Sequence, residues 1–168
     1  LETPVYDFSA APTDMTLTLS HRYNFDYYAG YQTYSGGNVQ ISTDEGVTWE
    51  PLVPEGGYPG SIYSYSGYGN PLAGQDGFVH CGDCEGVSGV ARYNQDKYID
   101  TVFDMADYAG ISDVRIRFVV GIWSYQYIGD GEHWHIGGLA FSGTGMEKVV
   151  LSKTVPVVGT GTDGAFVS

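Results

Sequence analysis

Two stretches of this chain alternate apolar and polar residues with a period of two, and that pattern restricts the fold more than any other feature. In Met15-Thr-Leu-Thr-Leu-Ser-His-Arg-Tyr23, residues Met15, Leu17 and Leu19 fall on one face and Thr16, Thr18 and Ser20 on the other. Successive side chains of a strand point to opposite faces, so this run predicts a half-buried strand. The longer run Asp113–Tyr127 puts Val114, Ile116, Phe118, Val120 and Ile122 on one face, and Arg115, Arg117, Val119, Trp123, Tyr125 and Tyr127 on the other. Its apolar face predicts packing against an opposing sheet.

The other segments extend the pattern. Gly36-Gly37 predicts a turn before a strand at Asn38–Ser42, and Asp44-Glu45-Gly46 predicts another before Val47–Trp49, so the two short strands form a hairpin. Further strands are expected at His133–Phe141 and, weakly, at Lys148–Leu151; the helical content reduces to a turn around Asp104 to Tyr108. Residues 51–89 are rich in Gly, Pro, Tyr and Ser, which fits either a large functional loop region or short strands with wide turns. The expectation is an all-β fold, a two-sheet antiparallel β-sandwich of jelly-roll type. Residues 1–145 form the accessory domain and 146–168 a final strand or C-terminal linker. A multi-blade propeller would need more than 168 residues and an internal repeat.

Composition narrows the functional classes. Twenty-five glycines and a charged fraction of 16% suit turns and strands better than helices, since charged residues average roughly 25%. A net charge of -13 repels a phosphate backbone and an anionic bilayer, which argues against nucleic-acid partners. The sequence contains no apolar run long enough to insert in a membrane. Cys81-Gly-Asp-Cys84 is the sole cysteine pair, read foremost as a local disulfide loop, with an inert reduced pair and metal or redox chemistry as alternatives. A secreted or cell-surface location follows from that reading, the low Lys content and the acidic balance.

Ser42-Thr-Asp-Glu-Gly-Val-Thr-Trp49 resembles an Asp-box, the S-x-D-x-G-x-T-W hairpin of sialidases and many secreted β proteins. Its signature residues Ser42, Asp44, Gly46, Thr48 and Trp49 have a local structural sense. Asp44 accepts turn N–H groups, Gly46 takes a positive φ and Trp49 packs over the hairpin. The wider context is similar to the non-catalytic jelly-roll domains appended to immune-inhibitor-A-type metallopeptidases, and to MAM-like and cleaved-adhesin modules. That resemblance rests on Leu1–Pro4, Leu17–Asp26, Gly37–Trp49, Tyr108–Phe118 and Gly131–Leu139, covering roughly residues 1 to 141. It implies a structural Ca²⁺ bridging an early acidic residue, matched by Asp26, and a closing-strand Asp-Asp, where this chain instead has Gly137-Gly138.

The acidic residues Asp7, Asp26, Asp44, Glu45, Asp76, Asp83, Glu85, Asp130 and Glu132 supply oxygen ligands for a hard cation, without EF-hand spacing. The alternative is an ordinary solvated acidic surface. His133 and His135 share a strand face and could hold Zn²⁺ with His21 or His80, although histidines beside aromatics are commonly packed or hydrogen-bonded without metal. The sequence lacks a G-x-S-x-G elbow and an H-E-x-x-H helix, so the expected reading is not an enzyme. A glycan-active catalytic domain is the outlying alternative.

The most suggestive functional surface is aromatic. Trp123, Tyr125 and Tyr127 on the long strand, rimmed by Tyr63, Tyr65 and Tyr68 and flanked by Arg115 and Arg117, suit stacking on sugar rings. The function expected is an extracellular accessory module for binding or adhesion, with a polysaccharide, glycan or cell-surface protein as partner. Packing of these rings under the long loop or against a neighbouring domain of a larger chain is the competing reading, and makes the module a structural spacer.

Overall fold

The chain folds into antiparallel β-sheets packed face to face, a β-sandwich-like all-β domain. The computed structural model describes residues 1–25, 33–63, 70–80, 98–122 and 133–146, and the backbone alone at Val149–Leu151, Val155–Val157 and Ala165–Phe166. In chain order the strands are β1 (Thr16–Asn24), β2 (Gly36–Ser42), β3 (Glu50–Pro51), β4 (Gly60–Ser61), β5 (Asp76–Gly77), β6 (Ile99–Asp104), β7 (Arg115–Gly121), β8 (His133–Ser142), β9 (Val149–Leu151), β10 (Val155–Val157) and β11 (Ala165–Phe166). One sheet runs β10-β8-β1-β6, with β9 also paired to β8; the other runs β11-β7-β2-β3; β4 and β5 form a small ribbon. A 3₁₀ turn occupies Ala106–Tyr108, within the segment expected to be helical.

The alternating runs become the two inner faces. Leu17 and Leu19 of β1 and Trp134, Ile136, Leu139 and Phe141 of β8 meet Val39, Ile41, Ile116, Phe118 and Val120 of the opposing sheet in one core. Fully burying an aliphatic side chain of this kind contributes about 2 kcal/mol, so the period-two pattern is itself the main driving force for the sandwich. Val119 points to the other side of β7, where Ile62, Leu72 and Val79 cover it in a second small cluster. Ile62, Leu72 and Val79 therefore roof part of the outer face on which the aromatic strip was expected, and Gly60–Ser61 and Asp76–Gly77 are short strands rather than plain loop.

Two expectations need correction. Gly36 and Gly37 are strand residues, paired with Gly121 and Val120, and do not form a turn. A Cβ on Gly37 would lie 2.6 Å from the Trp134 ring, and one on Gly36 would lie 2.8 Å from Ile62. The glycines thus admit bulky neighbours onto the strand. The second arm of the hairpin is Glu50–Pro51, opposite Ile41 and Gln40, whereas Val47–Trp49 belong to the turn.

The pairing of β1 with β8 slips by one residue at Gly137: Ser20 faces Gly138, but His21 faces Ile136. This β-bulge resets the inward phase of β8, so Trp134 and Ile136 before it and Leu139 and Phe141 after it all reach the core. It also leaves a flat spot on the outer face of the sheet, because neither Gly137 nor Gly138 carries a side chain.

Candidate functional site

Of the residues expected to bind a ligand, Trp123, Tyr125, Tyr127, Tyr65 and Tyr68 lie outside the described residues, as do Asp26, Cys81 and Cys84. Tyr63 is described, is 38% exposed, and meets Tyr34 edge-on with ring centroids 5.5 Å apart. Arg115 and Arg117 are engaged with neighbours on the protein itself. The Arg117 guanidinium lies 4.2 Å from the centre of the Trp49 ring and donates from Nε and Nη2 to Gln40 Oε1 at 2.9 and 2.6 Å. Gln40 Nε2 donates in turn to Asn38 Oδ1 at 3.1 Å, and Asn38 Nδ2 to Gln75 Oε1 at 3.0 Å. Asn38 and Gln40 are buried, so the chain of bonds satisfies polar groups that would otherwise be costly to bury. Arg115 lies 3.3 Å from Asp113 and 3.9 Å from Glu2.

The turn between β2 and β3 is held by its own side chains. Asp44 Oδ1 accepts from Thr48 N and from Ser42 Oγ, each at 2.8 Å, while Asp44 Oδ2 accepts the Thr48 hydroxyl at 2.6 Å. Gly46 has φ +85°, and Trp49 Nε1 donates to its carbonyl at 2.9 Å. The Thr48 bonds, followed by that of Ser42, hold the Asp44 carboxyl down at about 2. Trp49 carries this turn onto Arg117, which places the hairpin against the outer face of β7.

The outer face of the five-stranded sheet carries a group of residues that strand periodicity did not single out. Tyr98, immediately before β6, is 40% exposed and lies on the Gly137 bulge, where a Cβ would come within 2.6 Å of its ring. Arg22 of β1 sits 5.5 Å from the centre of that ring. Directly opposite Arg22 on β8 is His135, whose ring lies 4.9 Å from that of His133. Arg22, His133 and His135 are half-buried. Burial first, then the charge of Arg22 and His133, pushes the His135 imidazole below its ordinary value. The sequence signal for this group was the Gly-Gly pair in a strand otherwise rich in bulky residues.

Beside this face, a cleft of about 440 Å³ runs along β6, lined among others by Tyr23, Tyr58, Phe78, Glu55, Asp100 and Thr101. A volume of this size falls in the range of small-ligand sites. Both Glu55 and Asp100 are exposed at it. Glu55 N donates to Val102 O at 2.8 Å, which fixes the 54–59 segment against β6.

His21 does not join His133 and His135. His21 is fully buried in the core, where its Nδ1 accepts from Trp134 Nε1 at 2.9 Å and its Nε2 lies 2.9 Å from Thr101 Oγ1. Both ring nitrogens are therefore occupied, and His21 points away from His133 and His135. It cannot serve as the third zinc ligand. Among the described residues no group of three His, Cys, Asp or Glu side chains is placed to hold a metal ion. Asp7 instead accepts from Ser9 N at 2.9 Å and Asp76 from the Ser61 hydroxyl. No helix among the described residues is long and apolar enough to cross a membrane.

The chain matches no protein-family model, and it has no significant match among curated proteins or solved structures.

Proposed function

We propose that this chain is a non-catalytic accessory module of a secreted or cell-surface protein, of jelly-roll type, that attaches to carbohydrate through an exposed aromatic ring. The observation that carries the reading is the seat of Tyr98 on the Gly137 bulge, beside Arg22. A ring held against a side-chain-free patch presents a face already oriented for stacking, so little rotamer freedom is lost on binding. Arg22, His133 and His135 line the same face, polar groups of the kind that orient a sugar beside a stacking ring. The resemblance of the chain to appended jelly-roll modules supports the same reading.

The test is a glycan-array and insoluble-polysaccharide binding screen on the 168-residue chain, run with calcium and with chelator, for the unaltered protein and Tyr98→Ala. Binding that disappears in Tyr98→Ala at unchanged melting temperature supports the reading, and chelator sensitivity would add structural Ca²⁺ to it. Binding indifferent to Tyr98→Ala would move the site to the aromatics of the 63–68 and 123–127 segments. Failure to bind any glycan would replace the reading with that of a protein-adhesion or spacer domain. Release of new reducing ends would instead mark the cleft with Glu55 and Asp100 as catalytic.

A further inference from the structure

The strand β6 ends its sheet, and its free edge is only partly covered. Met105 N donates to Met15 O, and Val102 O accepts from Glu55 N. Alternate residues of an antiparallel strand turn both backbone groups to the same side, so Thr101 and Phe103 pair with β1 while Asp100 and Val102 face outward. Glu55 covers the edge at Val102. Among the described residues no group bonds the outward N–H or C=O of Asp100. The cleft of about 440 Å³ opens at this uncovered step, between β6 and the 54–59 segment.

The lining of the cleft includes the carboxylates of Glu55 and Asp100 and contains no Lys, Arg or His. Continuing the β1–β6 register puts Arg22 diagonally across from Asp100, where it offsets part of that charge. The weight therefore falls on Glu55, which is exposed and has no ion-pair partner among the described residues. The wall is aromatic: Phe78 meets Tyr23 and Tyr58 with ring centroids 5.2 and 5.0 Å apart. Tyr23 is 4% exposed, lines the cleft, and has no hydrogen-bond partner for its hydroxyl among the described residues. A polar group so buried is costly to leave unbonded. Burial pushes this phenol up to about 12, so it stays protonated and its oxygen is open to an N–H donor. Aromatic rings beside a carboxylate are the surroundings that hold an organic cation.

We propose that the β6 edge and its cleft dock an extended peptide bearing lysine or arginine, which adds as a further strand at Asp100 and sends its cationic side chain into the cleft beside Glu55 and Tyr23. In that pairing the peptide residue opposite Asp100 takes the outer face, and its neighbours turn to the side of Ile99 and Thr101, which line the cleft. Main-chain bonds supply affinity and the cleft selects the side chain. The net charge of -13 draws a basic segment in at long range. This site does not depend on the glycan reading.

The experiment titrates the ¹⁵N-labelled 168-residue chain with the end-blocked pentapeptide Thr-Lys-Thr-Lys-Thr and with counterparts carrying norleucine or glutamate in place of lysine. A further peptide has its central threonine N-methylated, which deletes the N–H that would pair with the Asp100 carbonyl. Spermine supplies cations without a peptide backbone. The lysine peptide should shift the amide resonances of Glu55 and Asp100, slow hydrogen exchange at Asp100, and bind about tenfold or more tighter than the norleucine peptide. Glu55→Gln, at unchanged melting temperature, should remove most of that margin, and N-methylation should weaken binding by about fivefold or more. Equal binding of the lysine and norleucine peptides would overturn the cationic cleft and the proposal with it. Spermine binding as tightly as the peptide, with N-methylation without effect, would overturn the peptide as occupant. Shifts confined to residues outside 54–59 and 99–102, or no shifts with any ligand, would overturn the site itself.

Discussion

The indole Nε1 of Trp134 donates a 2.9 Å hydrogen bond to Nδ1 of His21, and both residues are fully buried between the sheets. Because an indole N–H can only donate, His21 Nδ1 must be unprotonated, and the proton of the neutral ring sits on Nε2, donated to Thr101 Oγ1. Burial pushes the imidazole down to about 3 from its ordinary 6.5.

That shift makes the domain acid-sensitive. The unfolded chain takes up the His21 proton near pH 6.5 and the folded one only near 3, so stability falls as pH drops through this window. The loss over the window is on the order of 4 kcal/mol. His135, also lowered, contributes in the same direction. Denaturant unfolding of His21→Phe should show a flatter dependence from pH 6.5 to 3 than the unaltered chain. At neutral pH the variant should be less stable by about 1–3 kcal/mol, because Trp134 Nε1 and Thr101 Oγ1 lose their partner. An equally steep acid limb in the variant would show that other groups set it.

The same His21 shows how far the fold was legible. Residues 15, 17, 19, 21 and 23 share one phase of the alternation, and Met15, Leu17, Leu19, His21 and Tyr23 are all buried. Its place in the core could therefore have been read from periodicity, had its imidazole not suggested a metal. Apolar alternation likewise located the inner face of β7. The glycine pairs were harder, since Gly is both a turn former and a residue that admits a close neighbour. Gly36-Gly37 serve the second role, and only the position of Trp134 decides it. Tyr98 was illegible for a related reason: its exposure depends on a bulge in a strand distant in sequence.

The two glycine contacts predict opposite consequences for the same substitution. At Gly37 an alanine methyl would meet the Trp134 ring at 2.6 Å and the Val119 carbonyl at 3.2 Å. Trp134 is locked by the core, so Gly37→Ala should cost about 1–3 kcal/mol, measured by denaturant unfolding. At Gly137 the obstruction is the Tyr98 ring at 2.6 Å, with Ser20 O at 3.1 Å. Tyr98 can swing into solvent, so Gly137→Ala should cost roughly 1 kcal/mol or less. It should nevertheless weaken glycan binding by displacing the ring. Comparable destabilisation at both sites would show that Tyr98 is held as firmly as Trp134.

Tyr58 offers a test of how β2 is closed where β3 stops. Its hydroxyl accepts from Val39 N at 3.0 Å and donates to Leu52 O at 2.7 Å, while Leu52 N donates to Val39 O at 2.9 Å. The phenol stands in for a missing strand partner, and burial raises its pKa. Tyr58→Phe preserves the ring but leaves a buried N–H and a carbonyl without that partner, at a cost of about 1–3 kcal/mol. Faster hydrogen exchange at the Val39 amide should accompany the loss. Unchanged stability would mean that water replaces the hydroxyl.

The Asp44 turn makes its prediction through titration. Its carboxylate gathers the hydroxyl and amide of Thr48 and the hydroxyl of Ser42, which holds it near 2 against an ordinary 3.8. A group lowered in the folded state contributes stability that is fully present above 3.8 and disappears as pH falls through about 2. The turn should therefore keep its bonds across the acid range in which His21 is already destabilising the core. Carboxyl ¹³C NMR should place the Asp44 midpoint near 2, and Asp44→Asn should release the Thr48 amide to faster exchange. The variant should leave the core resonances in place, because the turn's bonds are local to residues 42–49. A midpoint near 3.8 would instead mean that the Thr48 and Ser42 bonds do not persist in water, and that Trp49 is held on Arg117 by stacking alone.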